Sequence, residues 1–166
     1  MFIPKLTLDT NLLIEYWKQR KKTGTVESLL ELAKLGKVDL AVTRRIRQDI
    51  PFPALSERLN ELPELQITET GSIARFGYWL LDGREMFGDQ KFGDFLSTAS
   101  ELAKQRGKTP PDWRDWDHVH THYLLQRDMF LTWDDGIICL SKELKNIFDV
   151  NVIRPDEFLQ NFNGSK

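Results

Sequence analysis

The chain has 166 residues, of which 40% are apolar and 11% aromatic; it can bury a core of its own and is too apolar to be disordered or collagen-like. With 23 Lys and Arg against 25 Asp and Glu the formal charge is −2, which excludes a uniformly basic, nucleic-acid-coating surface and leaves any nucleic acid to a local patch. No apolar run approaches the roughly 18 residues that cross a bilayer, MFIPKLTLDTN reaches an acid before a signal-peptide core can form, and the lone Cys139 supplies neither a disulfide nor a zinc cluster, so the expectation is a cytoplasmic protein with no membrane partner.

Lys5 to Asp9 reads as a short buried strand ending on an acid, with Thr10 or Asn11 capping a helix through Leu12 to Trp17 that the basic run Lys18 to Lys22 closes. Thr25 is placed to cap a second helix, whose Val26, Leu29, Leu30 and Ala33 form an i, i+3, i+4, i+7 stripe before Gly36. Val38 to Thr43 predicts a second strand, and Arg44 to Asp49 a helix that Pro51 and Pro53 interrupt before Ala54 to Leu62. Leu65 to Thr68 predicts a third strand, and Ile73 to Leu81 a helix. The stretch 82 to 112, punctuated by Gly83, Gly88 and Gly93 and holding a helix from Phe95 to Arg106, reads as an excursion from the core; its Lys104, Arg106 and Lys108 are candidate contacts to a substrate backbone. Trp113 to Gln126 then predicts a helix, Met129 to Thr132 a fourth strand, Ile137 to Ile147 a helix, Val150 to Ile153 a fifth strand, and Asp156 the cap of a final helix. Such alternation implies one α/β domain over residues 1–166, a three-layer sandwich on a mainly parallel sheet, whose working edge lies beyond the carboxyl ends of the strands.

Acids fall at that edge. Asp9 follows the first strand, Asp134 and Asp135 follow the fourth, Asp115 and Asp117 open the helix before it, and Asp49 lies six positions past the end of the second. Clustered carboxylates raise one another's pKa, so four such segments converging call for a compensating cation, and oxygen donors favour Mg²⁺ or Mn²⁺. Each acid has a plainer reading as well: Asp9, Asp115 or Asp117 as helix caps, Asp134-Asp135-Gly136 as a turn, Asp49 as surface.

LTLDTNLLIEYW resembles the strand-ending Asp-Thr/Ser-Asn signature of the PIN-domain nucleases, a family that includes the ribonuclease toxins of toxin–antitoxin pairs. DHVHTHYLLQRDMFLTWDDGI is similar to that family's Asp-opened helix, strand and Thr-x-Asp, and NVIRPDEFL to its closing strand. The resemblance covers residues 3 to 50 and 113 to 159. It implies a PIN-like sandwich with strand order 3-2-1-4-5 and a metal-dependent endoribonuclease that hydrolyses RNA phosphodiesters. Asp9, Asp49, Asp117 and Asp134 are then the catalytic acids, with Asp9, Asp117 and Asp134 holding Mg²⁺ or Mn²⁺. Thr10, Asn11 and Thr132, with Asp115 and Asp135, are placed to orient these carboxylates or contact phosphate, and Arg44, Arg45 and Arg47, which start beyond a strand end close to the acids, are candidate RNA phosphate contacts. The family's second acid is usually Glu, where this chain has Asp49. RNA, an antitoxin protein and a second copy of the chain are the partners so implied; the alternative is a non-catalytic PIN-like module that binds RNA or protein.

His118, His120 and His122 spell H-x-H-x-H, but on a helix only the outer two share a face and no third zinc ligand is apparent, so they read as a solvated or partly packed face. Trp113, Trp116 and Trp133 flank the acids and read as core before base-stacking platforms. An aspartyl-nucleophile phosphatase would want an acid two residues past Asp9, where Asn11 stands, and a receiver domain would end its middle strand on its acceptor, where Thr68-Glu69-Thr70 stands.

Overall fold

The structure, a computed structural model, describes residues 2–50, 52–74 and 87–164. In chain order its elements are β1 (Lys5–Leu8), α1 (Thr10–Trp17), α2 (Thr23–Lys34), β2 (Asp39–Thr43), α3 (Ile46–Asp49), α4 (Pro53–Ser56), a 3-10 turn (Glu57–Glu61), β3 (Ile67–Thr70), α5 (Gln90–Gln105), α6 (Trp113–Leu124), β4 (Met129–Leu131), α7 (Asp135–Ile138), α8 (Ser141–Phe148), β5 (Val152–Ile153) and α9 (Pro155–Gly164). The five strands pair in parallel in the order β3-β2-β1-β4-β5, the PIN-like arrangement. Because every pairing is parallel, all carboxyl ends reach one edge. Leu8 of β1 lies opposite Leu131 of β4, so Asp9 and Thr132, each one residue further on, meet there.

Alternation along the strands divides the interior into two cores. Leu6 and Leu8, Leu40 and Val42, and Leu131 face one core, filled by Leu12, Leu13 and Trp17 of α1, the predicted stripe Val26, Leu29, Leu30 and Ala33 of α2, and Phe158 of α9. Phe130 faces the other, against Phe92, Phe95, Ala99 and Ala103 of α5, Trp116 and Val119 of α6, and Leu144 and Phe148 of α8. Each fully buried Leu or Phe contributes about 1.5–3 kcal/mol relative to exposure. Part of this second face is polar: Thr7 and Thr43 point from the sheet toward His122 and His118 of α6.

Several predicted boundaries move for local reasons. Asp9 rather than Thr10 or Asn11 occupies the N-cap of α1, and its side chain makes no capping bond. α2 starts two residues before Thr25. The predicted helix Ala54 to Leu62 tightens to 3-10 after Ser56, β3 begins at Ile67 instead of Leu65, and the helix predicted over Ile137 to Ile147 breaks at Cys139 and Leu140 into α7 and α8. Asp156 lies in the first turn of α9 and accepts a hydrogen bond from the Trp133 indole (2.7 Å) instead of capping the helix. Most of the helix predicted over Ile73 to Leu81, and residues 82–86 of the predicted excursion, lie outside the described residues; Ile73 itself is not helical. Over the described part of that stretch a helix packs against the second core. α5 starts at Gln90, capped by Asp89 accepting from the Phe92 amide (2.7 Å), and its Phe92, Phe95, Ala99, Ala103 stripe completes the second core. The helix has too few apolar residues for a core alone because it shares one with α6 and α8.

Candidate functional site

At the carboxyl edge of the sheet a cleft of about 300 Å³ is lined by Asp9, Thr10, Asn11, Ile14, Asp49, Asp112, Arg114, Asp115 and Asp134. Through Asp112, Asp115 and Asp134 it opens into a groove of about 680 Å³ walled by the loop 107–111, Trp133, Asp135 and Gly136. Gly136 is required there, since a Cβ would stand 2.3 Å from the Thr109 carbonyl oxygen and 2.8 Å from the Pro111 ring. Elsewhere a cavity of about 490 Å³ at the opposite edge, beside Tyr123, Arg127 and Asn151, gathers no comparable acids; its Asp128 and Asp149 are held by the Lys5 amide and by Lys145.

Thr132 organises the centre of the cleft. Its hydroxyl donates to Asp9 Oδ2 (2.6 Å) and accepts from the Asp134 amide (2.9 Å), while the Asn11 amide nitrogen donates to Asp9 Oδ2 from the other side (2.7 Å). Asp9 is therefore held toward β4 by side chains of both strand ends. Burial raises its pKa, more than the opposing effects of His118 and Thr132 lower it, and the Asp134 charge adds to the rise. Asp134 combines the site with a structural duty: its Oδ1 caps α7 by accepting from the Gly136 (2.6 Å) and Ile137 (3.2 Å) amides.

The opening of α6 departs from the sequence expectation. Residues two apart on a helix point about 200° apart, so Asp115 and Asp117 cannot share a direction. Asp115, expected behind the ligands, lines the cleft and closes a capping box in which Asp112 is the N-cap. Asp117, expected to hold metal, is 1% exposed and turned beneath the cleft, where Arg45 approaches it (3.5 Å). Burial first, then the charge of Asp9, pushes the Asp115 pKa up to about 7, with Asp112 and Asp134 adding to it. A carboxyl raised above its unfolded value favours the fold when protonated, so it lends stability at low pH that is lost as pH rises from about 4 toward 7. Asp115→Asn, which keeps an acceptor for the capping box, is expected to raise the thermal midpoint of metal-free protein at pH 8. That gain should shrink to nothing near pH 4; a gain independent of pH would show that the cluster does not repel.

The predicted arginines part company. Arg45 is 3% exposed, bonded through Nε to Asp49 (3.2 Å), with its guanidinium stacked 4.2 Å over Trp113, so it is a buried strut and no rim contact. Arg47 is half exposed and paired with Glu69 (2.7 Å), and the Arg44 amide bonds the Thr70 carbonyl. Lys104 pairs with Glu101, Arg106 with Glu143, and Lys108 with Asp135, which Arg154 also holds. Of Trp113, Trp116 and Trp133 only Trp116 is fully buried in a core, while Trp133 is half-buried beneath the Lys22 ammonium.

Sequence reading missed three residues here. Arg114 lines the cleft and forks onto Asp112 (2.6 and 2.9 Å), which the helix-start pattern D-x-x-D would have signalled. The third is His118. All three histidines are buried, correcting the solvated-face expectation: His120 stacks on Phe92 (4.0 Å), His122 meets Thr7 (2.9 Å), and His118 reaches Asp49 (2.6 Å). Burial and then the Arg127 charge push the His122 pKa down to about 3. Burial lowers that of His118, but the bond to Asp49 and the charges of Asp9, Asp49 and Asp115 outweigh it, so it stands raised.

Among the described residues no three His, Cys, Asp or Glu side chains form a ready-made metal cage. The donors nevertheless suit a hard cation that keeps most of its waters and takes one or two carboxylates directly. All are oxygens, their mutual repulsion wants a positive charge, and the buried Asn11 Oδ1 among them has no hydrogen-bond partner. No described helix is long and apolar enough to cross a membrane.

No protein-family model and no curated protein matches the sequence. Among solved structures the chain is similar to VapBC2 from Rickettsia felis, crystallised with a promoter DNA fragment (11% identity, 90% of this chain and 98% of that one, TM-score 0.49). It is similar also to FitAcB from Neisseria gonorrhoeae (18% identity, 90% and 97%, TM-score 0.45) and to VapBC-1 from nontypeable Haemophilus influenzae (14% identity, 92% and 98%, TM-score 0.47).

Proposed function

We propose that the protein is a metal-dependent endoribonuclease acting at the acidic cleft. The observation that carries this reading is the convergence of Asp9, Asp134 and Asp115, from two adjacent parallel strands and a helix start, in one cleft whose candidate ligand atoms are all oxygens. Asp9, Asp134 and Asp115 are the carboxylates proposed to hold the cation, one or two of them directly and the rest through its waters, with Asn11 Oδ1 as an acceptor for such a water. Asp117 is left to pair with Arg45. A bound Mg²⁺ or Mn²⁺ supplies a Lewis acid that activates water and neutralises charge on the phosphoryl oxygens. Thr132 and the Asn11 amide orient Asp9, Asp49 forms the opposite wall, and Arg114, held by its fork to Asp112, stands where a phosphate enters. Arg47 and Lys108 lie further out on exposed surface, each shared with an acid. An accessible, single-stranded phosphate suits so narrow a cleft better than an A-form helix.

The test is cleavage of a panel of single-stranded and hairpin RNAs with Mg²⁺ or Mn²⁺ and with EDTA. Cleavage that needs the cation and falls with added salt supports the reading. RNA binding with no cleavage under either cation would make the non-catalytic module the better description. An antitoxin partner and self-association belong to the same proposal through the PIN-domain resemblance, and light scattering of protein purified from its native cells reads out both.

A further inference from the structure

We propose that His118 is a positioning residue of this cleft, acting through Asp49. The proposal rests on the ribonuclease reading above and adds to it a residue that the acid pattern does not contain. Asp49 comes from α3, a four-residue helix that follows β2, and its side chain is one methylene shorter than a glutamate in that place. It reaches the cleft wall, where it is 13% exposed, because protein groups hold both of its oxygens. His118 Nε2 lies 2.6 Å from Oδ2, and Arg45 Nε lies 3.2 Å from Oδ1. The ring is fixed in turn: its Nδ1 is 2.5 Å from the Thr43 hydroxyl at the end of β2, and the Thr10 hydroxyl lies 3.2 Å from Nε2 and 3.4 Å from Asp49 Oδ2. Groups from α1, β2, α3 and α6 thus meet on one imidazole that is 2% exposed. A buried ring with both nitrogens engaged has little rotational freedom, so it transmits the placement of β2 and α6 to the carboxylate. Packing alone would be served by an apolar side chain; the hydrogen bond to a cleft acid would not.

The experiment is a double-mutant cycle on the full chain, reading kcat and KM for RNA cleavage and Mn²⁺ affinity by calorimetry, with the thermal midpoint of every variant. His118→Ala and Asp49→Ala are each expected to lower kcat by roughly tenfold or more, with KM within about twofold, because misplacement acts on the reacting geometry more than on binding. Each should weaken Mn²⁺ binding by about threefold, and the double variant should lose no more than either single one in both readouts. His118→Gln, whose amide can donate to Asp49, should recover most of kcat. Should the alanine variant not fold, His118→Asn, too short to reach Asp49, takes its place. Losses that multiply in the double variant, or a glutamine as damaged as the alanine at equal thermal midpoint, overturn the positioning role alone. A wild type that binds Mn²⁺ but cuts no RNA overturns the ribonuclease reading alone, and the cycle is then read from the affinities. A wild type that binds no Mn²⁺ overturns both.

Discussion

Asp134→Asn is expected to abolish cation-dependent RNA cleavage, lowering kcat by more than about a hundredfold, while RNA affinity stays close to wild type and the thermal midpoint does not fall. The separation follows from how Asp134 is used. Its Oδ1 caps α7 and its amide is held by Thr132, and asparagine is as good an N-cap as aspartate, so the fold keeps both contacts. What is lost is the negative charge facing Asp9 and Asp115 across the cleft. If that charge helps to hold a cation whose Lewis acidity contributes several kcal/mol to the transition state, each 1.36 kcal/mol forfeited is a factor of about ten. Single-turnover cleavage of a labelled RNA, with affinity measured separately in EDTA, gives both numbers. Undiminished cleavage would remove Asp134 from the site. Asp117→Asn provides the contrast, because a side chain turned toward Arg45 and away from the cleft should leave most of the cleavage in place.

Arg45→Met is expected to destabilise the protein by about 3 kcal/mol or more. Arg45 and Asp117 are both nearly sealed from solvent, and removing one partner of a buried ion pair typically costs about 3–5 kcal/mol. Asp49 loses its Nε donor and Trp113 its stacked guanidinium in the same substitution. Adding Asp117→Asn should restore part of the loss, since the buried carboxylate that Arg45 offset is then neutral. Urea unfolding of the two single variants and the double variant measures this. A double variant less stable than Arg45→Met by the full cost of Asp117→Asn would show that the pair is not coupled and that Asp117 has another duty.

The strand ends were legible in the chain itself. Leu6-Thr7-Leu8 and Met129-Phe130-Leu131 are short, mostly apolar runs, each bounded by polar residues and separated by helical patterns, which is enough to imply parallel strands whose carboxyl ends share an edge. Asp9, Thr10, Asn11, Thr132 and Asp134 sit directly on those ends, within a residue or two of the backbone that places them, so their meeting survived every shift in helix boundaries. Element boundaries read less well between Ile46 and Glu61, where short helical turns carry little periodicity, and where the apolar stripe of α5 serves a core that belongs mostly to other helices.

What the sequence by itself determined, then, is the sheet, its working edge, and the acids attached to that edge through local chain geometry. Tertiary structure alone decided which way side chains further along the helices turn. Asp115 and Asp117 have the same chemistry two positions apart, and only the rotation of α6 against α3 sends one to the cleft and the other to Arg45. The same rotation brings His118 to Asp49 across 69 positions of sequence and turns Arg45 from a candidate phosphate contact into a buried strut. Such pairings depend on the packing of elements distant in the chain, which residue spacing within either one does not encode.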